Sequence, residues 1–159
     1  MSLLMEADMK DSRGNRSLGK IACPLAHILV VDDEPDIVTL LQIYLERAGY
    51  AVDGAGDGLE ALTRLRRTPA AFDLVITDVN MPLLNGYALL VSMRAEPPLR
   101  DLPVIVLTAH GSENEMTTGY VCGADIYLTK PFNMEEVVAF VRRCLPVALP
   151  CSLDGARRC

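Results

Sequence analysis

Asp32-Asp33, Asp78, Thr108 and Lys130 are the residues of this sequence whose types, taken together, can do chemistry. Each follows a short, largely apolar run: Ile28-Leu29-Val30-Val31, residues 73–77, residues 103–107 and residues 126–129. Three carboxylates brought together repel one another unless something compensates them. A hard divalent cation is the natural compensation, and Mg2+, which takes oxygen ligands and suits phosphate, fits best. The Lys130 ammonium can then pair with one phosphoryl oxygen and the Thr108 hydroxyl can donate to another. That leaves Asp78 as a carboxylate nucleophile, a known route to an aspartyl phosphate. Singly these residues mean little: Asp32-Asp33 could merely favour a helix dipole, and Thr108 could be a strand-end cap.

The chemistry requires elements that carry the five residues to one place. From His27 onward short apolar runs alternate with stretches of helical period, the mark of a parallel α/β sheet. The spacing predicts strands at residues 28–31, 50–55, 73–77, 103–107 and 126–129. The first helix carries an apolar stripe of Ile37, Leu40, Leu41, Tyr44, Leu45 and Ala48, follows Pro35 and stops at Gly49. Asp57-x-x-Glu60, Ser112-x-x-Glu115 and Asn133-x-x-Glu136 open three further helices as capping boxes. Another helix runs from near Gly86 to near Pro97. The expected fold is a doubly wound, flavodoxin-like sheet of five parallel strands in the order 2-1-3-4-5 with five helices. In such sheets ligands bind outside the carboxyl ends of the strands, where all five chemical residues stand.

Four segments then resemble the receiver domains of two-component response regulators. They are Val30-Val31-Asp32-Asp33-Glu34-Pro35, Asp78-Val79-Asn80-Met81-Pro82-Leu83-Leu84-Asn85-Gly86, Leu107-Thr108-Ala109, and 123–132, which reads Gly-Ala-Asp-Ile-Tyr-Leu-Thr-Lys-Pro-Phe. The resemblance covers about residues 27–145, in family order and spacing. It implies that Asp78 is the phosphoacceptor and that Asp33 binds the metal directly. It also implies that Asp32 acts partly through water and that the Asn80 backbone carbonyl completes a Mg2+ shell. It implies Thr108 and Tyr127 as a switch pair, Lys130 as the phosphate-binding lysine, and a cis Lys130-Pro131 bond. His110 matches a position near the phosphoryl group. The implied partner is a sensor histidine kinase or a phosphotransfer protein. We expect it to dock on Ile37, Leu40 and the Pro131-Phe132 loop, with some apolar residues of the first helix exposed. The output surface is expected to comprise residues 112–121, the fifth strand at 126–129 and the last helix at 133–145, read by an unknown partner or a second copy.

Rival functions fit less well. A haloacid-dehalogenase-like phosphatase needs a second Asp two residues after its nucleophile, and Asn80 stands there, unable to act as an acid. A flavin or nucleotide binder shares the fold, but Asp32-Asp33-Glu34-Pro35 is acidic and lacks glycine, so it would repel a phosphate without metal. A degenerate receiver would lack one of Asp33, Asp78, Thr108 or Lys130, and none is missing. The domain is therefore expected to be a phosphoacceptor that assists its own phosphorylation, not a turnover enzyme.

The bulk numbers agree. The 159 residues carry a net charge of −6, and half are apolar. That acidity disfavours direct nucleic-acid binding. No apolar stretch reaches the ~18–20 residues of a membrane span, and residues 1–26 lack a signal-peptide core, so a cytoplasmic protein is expected. The five cysteines show no metal-ligand spacing and read as free thiols. Residues 1–26 and 146–159 are expected to be a flexible extension and a tail around the domain at 27–145. With a tail of 14 residues, the chain is expected to be either a single-domain regulator acting through protein contacts or a fragment of something longer; Ile126 stands where the winged-helix class often has an acid, an argument against its dimer mode.

Overall fold

Continuous branched apolar runs form strands that are covered on both faces, and β1 (His27–Val31) shows why. Alternate residues point to opposite sides of a sheet. Leu29 and Val31 enter one apolar cluster, while Ile28 and Val30 enter another. The computed structural model describes residues 24–109 and 121–145. Its strands β2 (Ala51–Ala55), β3 (Leu74–Asp78), β4 (Val104–Thr108) and β5 (Ile126–Thr129) join β1 in one parallel sheet in the order β2-β1-β3-β4-β5. This is the predicted doubly wound sheet.

Helices cover both faces. Helices α1 (Pro35–Arg47) and α4 (Met134–Cys144) bury Leu41, Leu45, Val137 and Val141 against Ile28, Val30, Ile76 and Leu107. Helices α2 (Gly58–Arg67) and α3 (Gly86–Ala95) bury Leu62, Leu65, Leu89 and Met93 against Val31, Val75, Val106 and Tyr127 on the other side. Side-chain caps set three of the four starts. Asp57, Asn85 and Asn133 accept hydrogen bonds from the backbone N–H groups of Glu60, Ala88 and Glu136 at 2.7–2.8 Å. Helix α1 instead starts on Pro35, whose fixed φ suits the first turn.

Some expectations change. The strands β3 and β4 each run one residue further than predicted, so Asp78 and Thr108 are their last residues. The α1 stripe is split: Leu41 and Leu45 are buried against the sheet, while Leu40 and Tyr44 remain 40 and 38 % exposed, as the docking expectation for this helix required. Four α-helices stand among the described residues. The helix predicted from Ser112 lies outside the described residues apart from its last positions, as do residues 1–23 and 146–159.

Candidate functional site at the carboxyl edge of the sheet

The sheet register gathers the predicted residues. Val31 of β1 lies beside Thr77 of β3, so the next residues, Asp32 and Asp78, come level. Asp78 pairs with Leu107 of β4, and Thr108 pairs with Thr129 of β5. Lys130 follows, its N–H donating to the Thr108 carbonyl at 2.6 Å. Asp32, Asp78 and Lys130 share the alternation phase of the α1/α4 face, whereas Thr108 and Tyr127 share that of the α2/α3 face. The register therefore separates the charged residues from the switch pair.

Side-chain distances follow from this placement. Lys130 Nζ donates to Asp78 Oδ1 at 2.9 Å and lies 3.8 Å from Asp32 Oδ2. One carboxylate oxygen from each of Asp32, Asp33 and Asp78 lies within 4.8 Å of the others. Asp32, Asp78 and Thr108 are buried, and Asp33 is exposed at the mouth. Asn80 stands exposed in the loop two residues after Asp78. Gly86 braces that loop from behind. Its N–H bonds the Val79 carbonyl, and a Cβ there would lie 2.3 Å from the Asp78 carbonyl oxygen. No side chain fits between the start of α3 and the end of β3.

The charges do not balance on their own. Three carboxylates face one ammonium. Asp32 is 1 % exposed; its Oδ1 accepts from the Glu34 N–H at 2.9 Å, but its Oδ2 has no hydrogen-bond partner among the described residues. Burial, with the nearby Asp78 charge adding to it, pushes the Asp32 carboxyl up to about 6, against the pull of the Glu34 N–H and Lys130. Burial opposes the Lys130 charge, but the hydrogen bond and charge of Asp78, with Asp32 and Glu34, outweigh it and raise its pKa. An orphaned buried oxygen within an all-oxygen donor set is what a hard divalent cation would satisfy. The residues present fit Mg2+.

Two contacts were not legible beforehand. Glu34 Oε1, exposed at the start of α1, lies 3.9 Å from Lys130 Nζ. The Tyr127 ring packs inward, 7 % exposed, and its hydroxyl lies 2.7 Å from the Tyr87 hydroxyl. Tyr87 directly follows Gly86, and nothing local pairs it with a strand 40 residues away. The Lys130-Pro131 bond is cis, as expected. On α1, Leu40, Ile43 and Tyr44 are exposed, as the docking expectation required; Pro131 is exposed and Ile37 and Phe132 are half-buried. His110 lies outside the described residues. No described helix is long and apolar enough to cross a membrane.

Known proteins share this fold. Residues 28–142 match the family model described as the response regulator receiver domain. The chain is 44 % identical over 118 residues to the alkaline phosphatase synthesis transcriptional regulatory protein PhoP of Bacillus subtilis, covering 74 % of this chain and 48 % of PhoP. It is 38 % identical over 121 residues to the DNA-binding dual master transcriptional regulator RpaA of Synechocystis, covering 76 % of this chain and 49 % of RpaA. It thus spans about half the length of these curated relatives. The solved structure of the chemotaxis response regulator CheY4 of Vibrio cholerae superposes with a TM-score of 0.71 at 36 % identity, covering 76 % of this chain and 99 % of CheY4. With the family model matched across most of the chain and the strand order and acidic edge in place, this protein belongs to the response regulator receiver domain family.

Proposed function

We propose that this domain accepts a phosphoryl group on Asp78 from a cytoplasmic sensor histidine kinase or phosphotransfer protein and passes the signal on by a protein contact. The observation that carries this reading is the placement of Asp78: at the end of the central strand β3, 2.9 Å from Lys130 Nζ, with two further carboxylates within 4.8 Å. An Asp78 carboxylate oxygen attacks the phosphorus of a phosphohistidine. The new P–O bond forms as the P–N bond breaks, and the electron pair returns to the imidazole. Lys130 holds the developing charge, and the Thr108 hydroxyl donates to a phosphoryl oxygen. Asp32 (partly through water), Asp33, Asp78 and the Asn80 backbone carbonyl would hold Mg2+, which would offset the charge of the carboxylates and the phosphoryl oxygens.

The donor protein packs on the exposed apolar residues of α1 and the Pro131-Phe132 loop beside Asp78. Output runs through Thr108 and Tyr127. A phosphoryl group that draws the Thr108 hydroxyl toward it favours the inward Tyr127 ring and so alters the surface of residues 112–121, β5 and α4. Burying such a ring is worth about 1–3 kcal/mol, enough to bias two states. Intact-mass measurement with a small phosphodonor and Mg2+ tests the core of this reading. The wild type should gain one phosphoryl mass and Asp78→Asn none. Persistent phosphorylation of Asp78→Asn at the wild-type level would remove Asp78 from the role.

A further inference from the structure

Helix α3 touches both ends of the proposed switch. Its first residue, Gly86, lies against the carbonyl of Asp78 so closely that no Cβ fits. Its second, Tyr87, meets the hydroxyl of Tyr127 on β5 at 2.7 Å. Two turns further along, Arg94 donates to the carbonyls of Leu102 and Gly123, each at 2.8 Å, and to Asp125 Oδ2 at 3.2 Å. The Asp125 carboxylate in turn accepts from the Val104 N–H at 2.9 Å. The helix is thereby tied to the start of β4 and to the approach into β5, the two strands that end in Thr108 and carry Tyr127.

We infer that Tyr87 is a positioning residue of the switch: its hydroxyl latches Tyr127 inward and links that ring, through α3, to the backbone of Asp78. This rests on the proposed role of Asp78 and deepens it by naming what holds the ring. The physical case is direct. An inward tyrosine hides its hydroxyl from water, and a buried hydroxyl without a partner is costly. Tyr87 provides a partner that exists only when the ring is inward. An outward ring would leave Tyr87 behind, so the bond favours one of two states rather than stabilising both, which is the condition for shifting a balance. A single neutral hydrogen bond shifts such an equilibrium by about threefold to tenfold. Both rings pack in the same apolar cluster, so Tyr87→Phe removes the Tyr87 hydroxyl and keeps its ring.

The test reads the Tyr127 ring itself. In protein carrying 13C-labelled tyrosine rings, with Tyr127 assigned through Tyr127→Phe, a soluble paramagnetic chelate reports ring exposure by relaxation. We expect the Tyr127 ring of Tyr87→Phe to relax faster than in wild type. Beryllofluoride with Mg2+ is the phosphoryl mimic for the second measurement, and Tyr87→Phe should bind it about threefold to tenfold more weakly. Unchanged Tyr127 relaxation in Tyr87→Phe overturns the latch. Increased relaxation with beryllofluoride affinity within twofold of wild type overturns its link to Asp78. Failure of wild type to bind beryllofluoride would count against the phosphoacceptor reading instead, because the ring measurement needs no ligand.

Discussion

Replacing Asp32 by Asn should stabilise the metal-free domain above neutral pH. In the folded chain the Asp32 carboxyl is pushed up to about 6 from an ordinary 3.8, chiefly by burial. Each pKa unit corresponds to about 1.4 kcal/mol, so holding the ionised carboxylate costs up to about 3 kcal/mol. The attraction of Lys130 is already within that balance. Asn keeps an oxygen to accept from the Glu34 N–H, now bonded to Asp32 Oδ1 at 2.9 Å. Its amide nitrogen is a less than ideal neighbour for the Lys130 ammonium, so we expect to recover about 1–2 kcal/mol, or roughly 4–10 °C in Tm. The sign follows from proton binding. Between about pH 4 and 6 the folded state holds a proton that the unfolded state has released, so stability falls as pH rises through that window. The advantage of Asp32→Asn should thus be absent near pH 4, grow through this range and be complete above pH 6. Thermal melts in chelator at pH 4 and pH 8 measure it. Mg2+ should raise the wild-type Tm and narrow the gap. A variant no more stable than wild type at pH 8, or one with an equal gap at both pH values, refutes the reasoning.

Asp33→Asn should weaken Mg2+ binding, because its exposed carboxylate stands at the mouth of the acidic cluster; a calorimetric titration with unchanged affinity would take Asp33 out of the ligand set. Gly86→Ala should destabilise the domain by about 2 kcal/mol or more and slow phosphorylation, since its Cβ would fall 2.3 Å from the Asp78 carbonyl oxygen; urea melts and intact-mass time courses read both effects. Asn133→Ala should cost about 1 kcal/mol through loss of the cap on Glu136 N–H and leave the phosphorylation rate within twofold, a contrast that separates the stability of α4 from the chemistry.

The strands and the composition of the edge were legible in the chain because each rests on local rules. The run from Ile28 to Val31 could only be a strand covered twice, and the residue that ends or follows each such strand in an open parallel sheet must stand at the carboxyl edge. Asp32, Asp33, Asp78, Thr108 and Lys130 were therefore placeable before any coordinates. The caps at Asp57 and Asn133 were legible for the same reason, since a cap and its partner lie three residues apart. Tertiary structure decided what depends on distance across the sheet. It orphaned Asp32 Oδ2, which no spacing encodes, by burying it under Lys130 and beside Asp78. It decided which members of the α1 stripe face the sheet, Leu41 and Leu45, and which stand outside it, Leu40 and Tyr44, because a cylinder meets a sheet along a line. It also brought the hydroxyl of Tyr87 to that of Tyr127, a meeting set by how α3 packs across β4 and β5 and not by any pattern within either segment.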